Sequence, residues 1–318
     1  GEVGYGERVP NATVQIRGQT SSQNAQKNYK IELKKNKGTW RGQRTINLNK
    51  HMTEGMRFRN KLAYDLIRGI PQMVGLRTQF VHLYVKDNTE ESGGKFEDYG
   101  IYTQVEQLNK TALKSHGLDS NGQLYKINSF EFYRYEDIIK KEDDAGYDKT
   151  AFEKMLEIKG DSDHTKLIDM LTDLNDYSIG IEDVLKEHFD EENIVYWMAF
   201  QILMGNVDTQ NRNVYLYSPL NSDIWYFIAW DNDGCLMRPE YELRNFSDQN
   251  SWEKGISNYW GNILFQRCLK SRSFREKLKD AILDLREYLN KDMLTSKIES
   301  YKNVLKPYLY LMPDAEYE

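Results

Sequence analysis

The period of the hydrophobic positions changes along the chain, and the changes mark its elements. In residues 12–17 the apolar side chains alternate (Ala12, Val14, Ile16), and in 29–33 Tyr29, Ile31 and Leu33 share one face. Alternation of this kind is the signature of strands. Between them Gly18-Gln19-Thr20-Ser21-Ser22 is small and rich in hydroxyls, which predicts a turn. Residues 57–69 switch to helical spacing, with Phe58, Leu62 and Leu66 on one face and Gly69 and Pro71 as the stop. Residues 79–85 and 100–106 read as strands joined across the polar, Gly-containing 88–98, and 123–127 reads as a further short strand. Residues 128–149 are acidic and rich in Tyr with no clean period, and read as a linker.

Beyond the linker the spacing turns helical, over 150–158, 163–174 and 181–188. Asp190-Glu191-Glu192 then opens a strongly apolar helix to residue 204, with its acids at the end where the helix dipole favours them. Strands at 214–217 and 224–230 flank a turn at 218–223, and helices over 259–269 and 273–308 close the chain. The pattern predicts an α+β protein of two lobes, a β-rich N-terminal lobe (1–127) and a mainly helical C-terminal lobe (128–318).

Composition narrows the function. A chain of 318 residues is long enough for two substantial cores. No stretch approaches the roughly twenty apolar residues of a membrane span. The net charge of −6 argues against a general nucleic-acid binder. The charge is unevenly placed. Residues 17–77 hold 14 Lys/Arg against three acids, whereas 131–192 hold 20 acids against eight Lys/Arg. Such asymmetry suits a polyanion held on a basic wall, and equally suits two solvated faces of opposite sign. Two cysteines, Cys235 and Cys268, are too few for a disulfide framework, and they form no metal-ligand spacing. The five histidines make no zinc-hydrolase pattern, and no G-x-S-x-G elbow is present. Gly1 in place of Met reads as a processed or trimmed start.

Two polar motifs carry the chemistry. The first is Asn206-Val207-Asp208-Thr209-Gln210-Asn211-Arg212-Asn213, in which Asn213 follows Asp208 by five positions. The second, Trp230-Asp231-Asn232-Asp233, stands at the end of an apolar strand-like run. Phosphoryl transfer needs a carboxylate to orient a hydroxyl, and an amide oxygen and a further carboxylate to hold metal on the phosphates. Protein kinases keep the same Asp-to-Asn spacing and a later metal-binding Asp. Asp208 is the candidate base, with an Asx-turn cap as its structural alternative. Asn213 and Asp231 are the candidate metal ligands, Asn211 could replace Asn213, and Asp233 is either a further ligand or part of an Asp-Gly turn. Lys27 is the candidate phosphate lysine, because on a strand it would share the apolar face of Tyr29 and Ile31. Arg17, Gly18, Ser21 and Ser22 could close a turn over phosphates, although no G-x-G-x-x-G is present.

These motifs together, Arg17-Gly18-x-x-Ser21-Ser22, Lys27-x-Tyr29, Tyr102-x-x-Val105-Glu106, Asn206-x-Asp208-x-x-x-x-Asn213 and Trp230-Asp231-x-Asp233, resemble the CotH family of spore-coat and secreted protein kinases. Order and spacing agree over roughly residues 12–240. The resemblance implies a reduced, atypical protein-kinase-like fold. It implies transfer of the γ-phosphate of ATP, with Mg²⁺ or Mn²⁺, to Ser or Thr hydroxyls of a partner protein. It also implies a secreted, cell-surface or spore-coat location. Glu106 would lie in the adenine-side connection or supply a carboxylate to Lys27. The rival readings are an inactive structural or adhesion protein on the same fold, and a small-molecule phosphotransferase or nucleotidyl transferase.

Overall fold

The computed structural model describes residues 10–18, 20–52, 54–89, 94–206, 208–236 and 259–317. The reading of the chain start at Gly1 lies outside the described residues, as does Val207 within the first motif. Backbone contacts divide the chain into two compact units. One comprises residues 1–66, 76–115 and 289–318, and the other 67–75 and 116–288.

The first unit is built on a five-stranded antiparallel sheet: β1 (Ala12–Arg17), β2 (Asn28–Leu33), β3 (Thr45–Asn49), β4 (Thr78–Lys86) and β5 (Phe96–Glu106), in the order β1-β2-β3-β5-β4. Register aligns the apolar residues of neighbouring strands: Val14 opposes Ile31, Ile31 opposes Ile46, and Tyr29 opposes Leu48. Tyr29, Ile31, Ile46, Leu48 and Tyr102 build one apolar face, while Val14 at the sheet's outer strand stays exposed. The pattern left β3 unread because Asn47 and Asn49 alternate with Ile46 and Leu48, and Asn is depleted in strands. Each Asn side chain meets a partner distant in sequence, Asn47 donating to Gln107 (3.0 Å) and Asn49 accepting from Arg17 (2.7 Å). β5 begins at Phe96, so the expected loop over 88–98 is shorter than predicted.

Helix α1 (Arg59–Ile67) matches its expected apolar stripe, with Phe58, Leu62 and Leu66 buried. The short α2 (Lys110–Ser115) follows β5. The last helix of the chain (Lys291–Leu309) belongs to this unit. Its Tyr301 packs on Phe58 and Phe80 with ring centroids 5.5 and 5.6 Å apart, and donates to Asp65. After it, buried Asp314 accepts from Lys50, Arg57 and the Ile101 amide.

The second unit carries a four-stranded antiparallel sheet: β6 (Gln123–Ile127), β7 (Leu156–Ile158), β8 (Val214–Ser218) and β9 (Tyr226–Ala229), in the order β7-β6-β8-β9. Helix α3 (Lys149–Met155) stops earlier than its pattern predicts, because Leu156–Ile158 pairs with β6. Helices α4 (Thr165–Asn175), α5 (Ile181–His188) and α6 (Glu191–Leu203) lie close to their predicted spans. α6 is apolar nearly all round and is buried. Its Trp197 stacks on Phe265 (5.5 Å) and meets Phe227 edge-on (5.1 Å). The long closing pattern is two helices after α7 (Ile263–Lys270). α8 (Arg272–Tyr288) and α9 (Lys291–Leu309) are separated where Asn290 caps α9 by accepting from the Met293 amide (2.9 Å).

The stretch 128–149 is not a loose linker. Phe130, Phe132 and Ile139 are fully buried in the second unit, so the aromatic rings outweigh the acids between them. Cys235 and Cys268 are both buried. Among the described residues no helix is long and apolar enough to cross a membrane.

Candidate functional site

The Asp208 loop and the Asp231 turn come together because one hairpin joins them. α6 ends at Leu203, and Gly205, at φ +58°, turns the chain out of the helix. Asn206 then organises the loop from within. Its buried Nδ2 donates to Gln201 Oε1 (2.8 Å), its Oδ1 accepts from the Asp208 amide (3.2 Å), and its carbonyl accepts from Gln210 (3.2 Å). The Asx turn that sequence offered as an alternative to function is therefore made by Asn206, and the Asp208 carboxylate stays at the exposed surface of the loop.

Asn213 closes the loop. Its Nδ2 donates to both the carbonyl and Oδ2 of Asp208, each at 2.9 Å. The five-residue spacing thus becomes direct contact, and it holds Asn213 at a left-handed φ of +55°, a conformation Asn tolerates. With Nδ2 committed to Asp208, the amide oxygen Oδ1 remains as an acceptor. The next residue starts β8, which pairs with β9 from Val214↔Ala229 to Tyr217↔Tyr226. The Trp230 amide donates to the Asn213 carbonyl (3.2 Å), so Asp231 emerges beside Asn213 at the end of the ladder.

Asp231 is half-buried and left-handed (φ +49°), and Asn232–Gly234 form a 3₁₀ turn after it. Asp231 and Asp233 do not share a strand face, because the strand ends at Ala229 and Asp231 is left-handed before the turn. Asp233 lies inside the turn. Gly234 packs it against the first motif: a Cβ there would stand 2.5 Å from Asn206 Oδ1 and 3.4 Å from Asp208 Cβ.

Two neighbours support the loop from below. Asn211 does not share the position of Asn213: its Nδ2 donates to Glu131 (2.6 Å) and its carbonyl accepts from the Phe130 amide (2.9 Å). Asn262 donates to the Gln210 carbonyl (2.9 Å) while capping α7. Sequence missed both, since Glu131 sits in the stretch without period and Asn262 shows only as a helix cap.

In the first unit, Gly18 (φ +96°) opens the predicted turn, where a Cβ would stand 2.0 Å from Ser21 Oγ. Asn28 donates to that hydroxyl (2.9 Å), and Ser21–Gln23 form a 3₁₀ turn. Lys27 precedes β2 instead of sharing its apolar face. Its Nζ donates to the carbonyls of Ser22 (3.1 Å) and Asn24 (2.7 Å), which fastens the turn and leaves one of its three N–H groups. Glu106 is buried at the end of β5, and the carboxylate partner expected of Lys27 serves Arg77 instead. The Arg77 amide donates to Glu106 Oε2 (3.0 Å) and its guanidinium to Oε1 (2.9 Å from Nε).

The donors at the hairpin end fit a hard divalent cation. Mg²⁺ and Mn²⁺ take oxygen ligands, and Mg²⁺ is usually held by one or two carboxylates plus substrate phosphates, keeping several waters. The Asn213 amide oxygen and the Asp231 carboxylate are such a set. Among the described residues no three His, Cys, Asp or Glu side chains form a cage.

The hairpin thus carries an exposed carboxylate tied to an amide five positions on at one end of its ladder, and a second carboxylate where the ladder's other strand ends. The chain belongs to the CotH kinase family: the family described as CotH kinase protein matches residues 14–318. It is similar to the inner spore coat protein H of Bacillus subtilis (strain 168), with 23% identity over 291 residues, covering 90% of this chain and 74% of that protein. Two solved structures show weaker likeness. The Helicobacter pylori proinflammatory kinase CtkA has 13% identity and a TM-score of 0.33, with 85% of this chain and 94% of that chain covered. A Shewanella oneidensis MR-1 structure of the toxin–antitoxin system HipA, HipB and its operator DNA has 14% identity and a TM-score of 0.25, with 82% and 56% covered.

Proposed function

We propose that this chain is an ATP-dependent protein kinase that phosphorylates Ser or Thr hydroxyls of a partner protein. Asp208 orients the acceptor hydroxyl and takes its proton as the γ-phosphate is attacked in line. Asn213 and Asp231 would hold Mg²⁺ or Mn²⁺, with Asp233 as a further candidate ligand. The cation supplies charge neutralisation for the phosphates when it is bound. Arg17, Gly18, Ser21, Ser22 and the remaining Lys27 N–H are assigned to phosphate oxygens, and Glu106 shapes the nucleotide-binding connection through Arg77. The two-lobed reading, with 1–127 serving nucleotide binding and 128–318 catalysis, is part of this proposal. The name of the Bacillus subtilis relative, inner spore coat protein H, supports the spore coat as the location.

The observation that carries the reading is the double hydrogen bond from Asn213 to Asp208, with Asp231 delivered alongside by the paired strand.

Two measurements test it. Calorimetry with ATP and Mg²⁺ or Mn²⁺ should show metal-dependent binding that Asp231→Asn loses. Transfer of labelled γ-phosphate should vanish in Asp208→Asn while nucleotide binding persists. Asp208→Asn with full transfer would overturn the assigned base. An acceptor gaining a whole nucleotide, seen as its mass change, would show a nucleotidyl transferase instead. No nucleotide binding with either metal would leave the structural or adhesion role.

A further inference from the structure

We propose that Glu131 is a positioning residue of the Asp208 loop, acting through Asn211 and Arg212. The inference rests on the kinase reading above. Glu131 joins three segments. Its Oε1 accepts from Asn211 Nδ2 (2.6 Å), its Oε2 accepts from the Tyr135 hydroxyl (2.7 Å), and its carbonyl accepts from the Ile263 amide at the start of α7 (2.9 Å). A carboxylate acceptor makes the first two bonds charge-assisted and about twice as strong as neutral ones.

The chain of contacts continues to the reactive carboxylate. With its Nδ2 held by Glu131, Asn211 turns its Oδ1 to Arg212, whose Nε lies 3.4 Å away. The same Nε lies 3.8 Å from Asp208 Oδ1. Arg212 and Asp208 are each about half exposed, so water alone would leave this ion pair loose. Asn211, fixed from below, selects the side of Asp208 on which the guanidinium rests. Asn213 holds the other carboxylate oxygen, Oδ2. Asp208 thus has Oδ2 hydrogen-bonded by Asn213 and Oδ1 facing the Arg212 guanidinium, a contact that leads back through Asn211 to Glu131.

The backbone around Glu131 is built for this contact. Phe132 (φ +64°) and Tyr135 (φ +41°) are left-handed, which is uncommon for aromatic residues. Burial of Phe130 and Phe132 in the core, with rings 4.9 Å apart, holds the segment in this shape. The excursion brings the Tyr135 hydroxyl back onto Glu131.

The test compares Glu131→Ala, Glu131→Gln and Asp208→Asn in the full chain. The reactant is γ-labelled ATP with Mn²⁺, transfer onto the chain's own Ser and Thr is the activity readout, and Mn²⁺–ATP binding is measured in parallel. Glu131→Ala should lower the transfer rate by about 10- to 100-fold, the scale of a misplaced reacting group, with Mn²⁺–ATP affinity within twofold of wild type. Glu131→Gln retains an oxygen for Asn211 and should recover to within about threefold of wild type. Amide exchange in residues 208–213 should quicken in Glu131→Ala and not in Glu131→Gln. Glu131→Ala at the wild-type rate, in an enzyme that Asp208→Asn silences, would overturn the proposal and leave the kinase reading standing. Equal losses in Glu131→Ala and Glu131→Gln would also overturn it. A wild-type chain with neither metal-dependent ATP binding nor transfer would overturn both.

Discussion

Replacing Asn193 by Ala should unfold the second unit more readily than any exposed substitution near the site. β9 is the edge strand of its sheet, and Phe227 directs its amide and carbonyl away from β8. Asn193, on buried α6, supplies the missing partner: its Oδ1 accepts from the Phe227 amide (2.7 Å), and its Nδ2 donates to the carbonyls of Phe227 (3.2 Å) and Gln72 (2.9 Å). One carboxamide thus imitates a neighbouring strand. Truncation leaves the Phe227 amide and carbonyl buried and unpaired, each at about 1–3 kcal/mol, while the half-buried Gln72 carbonyl regains water in part. The expected loss is about 3–5 kcal/mol, a large fraction of the roughly 5–15 kcal/mol that a domain holds. Asn193→Asp keeps the acceptor, loses both donations and turns a carboxylate toward two carbonyls, so it should be at least as damaging. Urea unfolding followed by the fluorescence of buried Trp197 and Trp225 reads the change, which should appear in the midpoint with the slope preserved. A loss under about 1 kcal/mol at unchanged slope would refute the bookkeeping of orphaned backbone groups.

Gly234→Ala should weaken metal-dependent ATP binding by at least about tenfold with little change in melting temperature, because the new methyl would push the turn away from Asn206 and Asp208. Calorimetry that finds wild-type affinity would refute the close packing of the two motifs. Burial, helped by Arg59, Arg17 and Arg57, lowers the pKa of His51 from 6.5 to about 4. The fold therefore holds His51 neutral while the unfolded chain binds a proton, so this group's contribution is intact above pH 6.5. It is lost as pH falls toward 4, with a slope of at most about 1.4 kcal/mol per pH unit. His51→Asn, which suits the left-handed backbone at φ +50°, should flatten stability across that window. An unchanged acid limb would refute the assignment.

Where side chains follow a regular period, the elements were legible before any coordinates. The stripe Phe58, Leu62 and Leu66 located α1, and Asp190 marked the start of α6, where it accepts from the Asn193 amide. The site motifs were legible for a different reason: phosphoryl transfer constrains residue type and spacing, and Asp208 and Asn213 are near enough in the chain to find each other by local geometry. β3 was not legible, because its Asn residues earn their place only through Gln107 and Arg17, which are far away in sequence. Nor was the role of 128–149, whose acids advertise solvent while its aromatic rings fill the core.

The sequence by itself determined the kinds of element, the α+β class and the identity of the polar motifs, since periodicity and motif spacing are properties of neighbouring residues. Tertiary structure alone decided which partners those residues meet. It gave Glu106 to Arg77, spent Lys27 on two turn carbonyls, assigned Asn211 to Glu131, and made the last helix part of the first unit. Each choice depends on burial, which removes water as the alternative partner and obliges a buried polar group to find one in the chain, however distant in sequence.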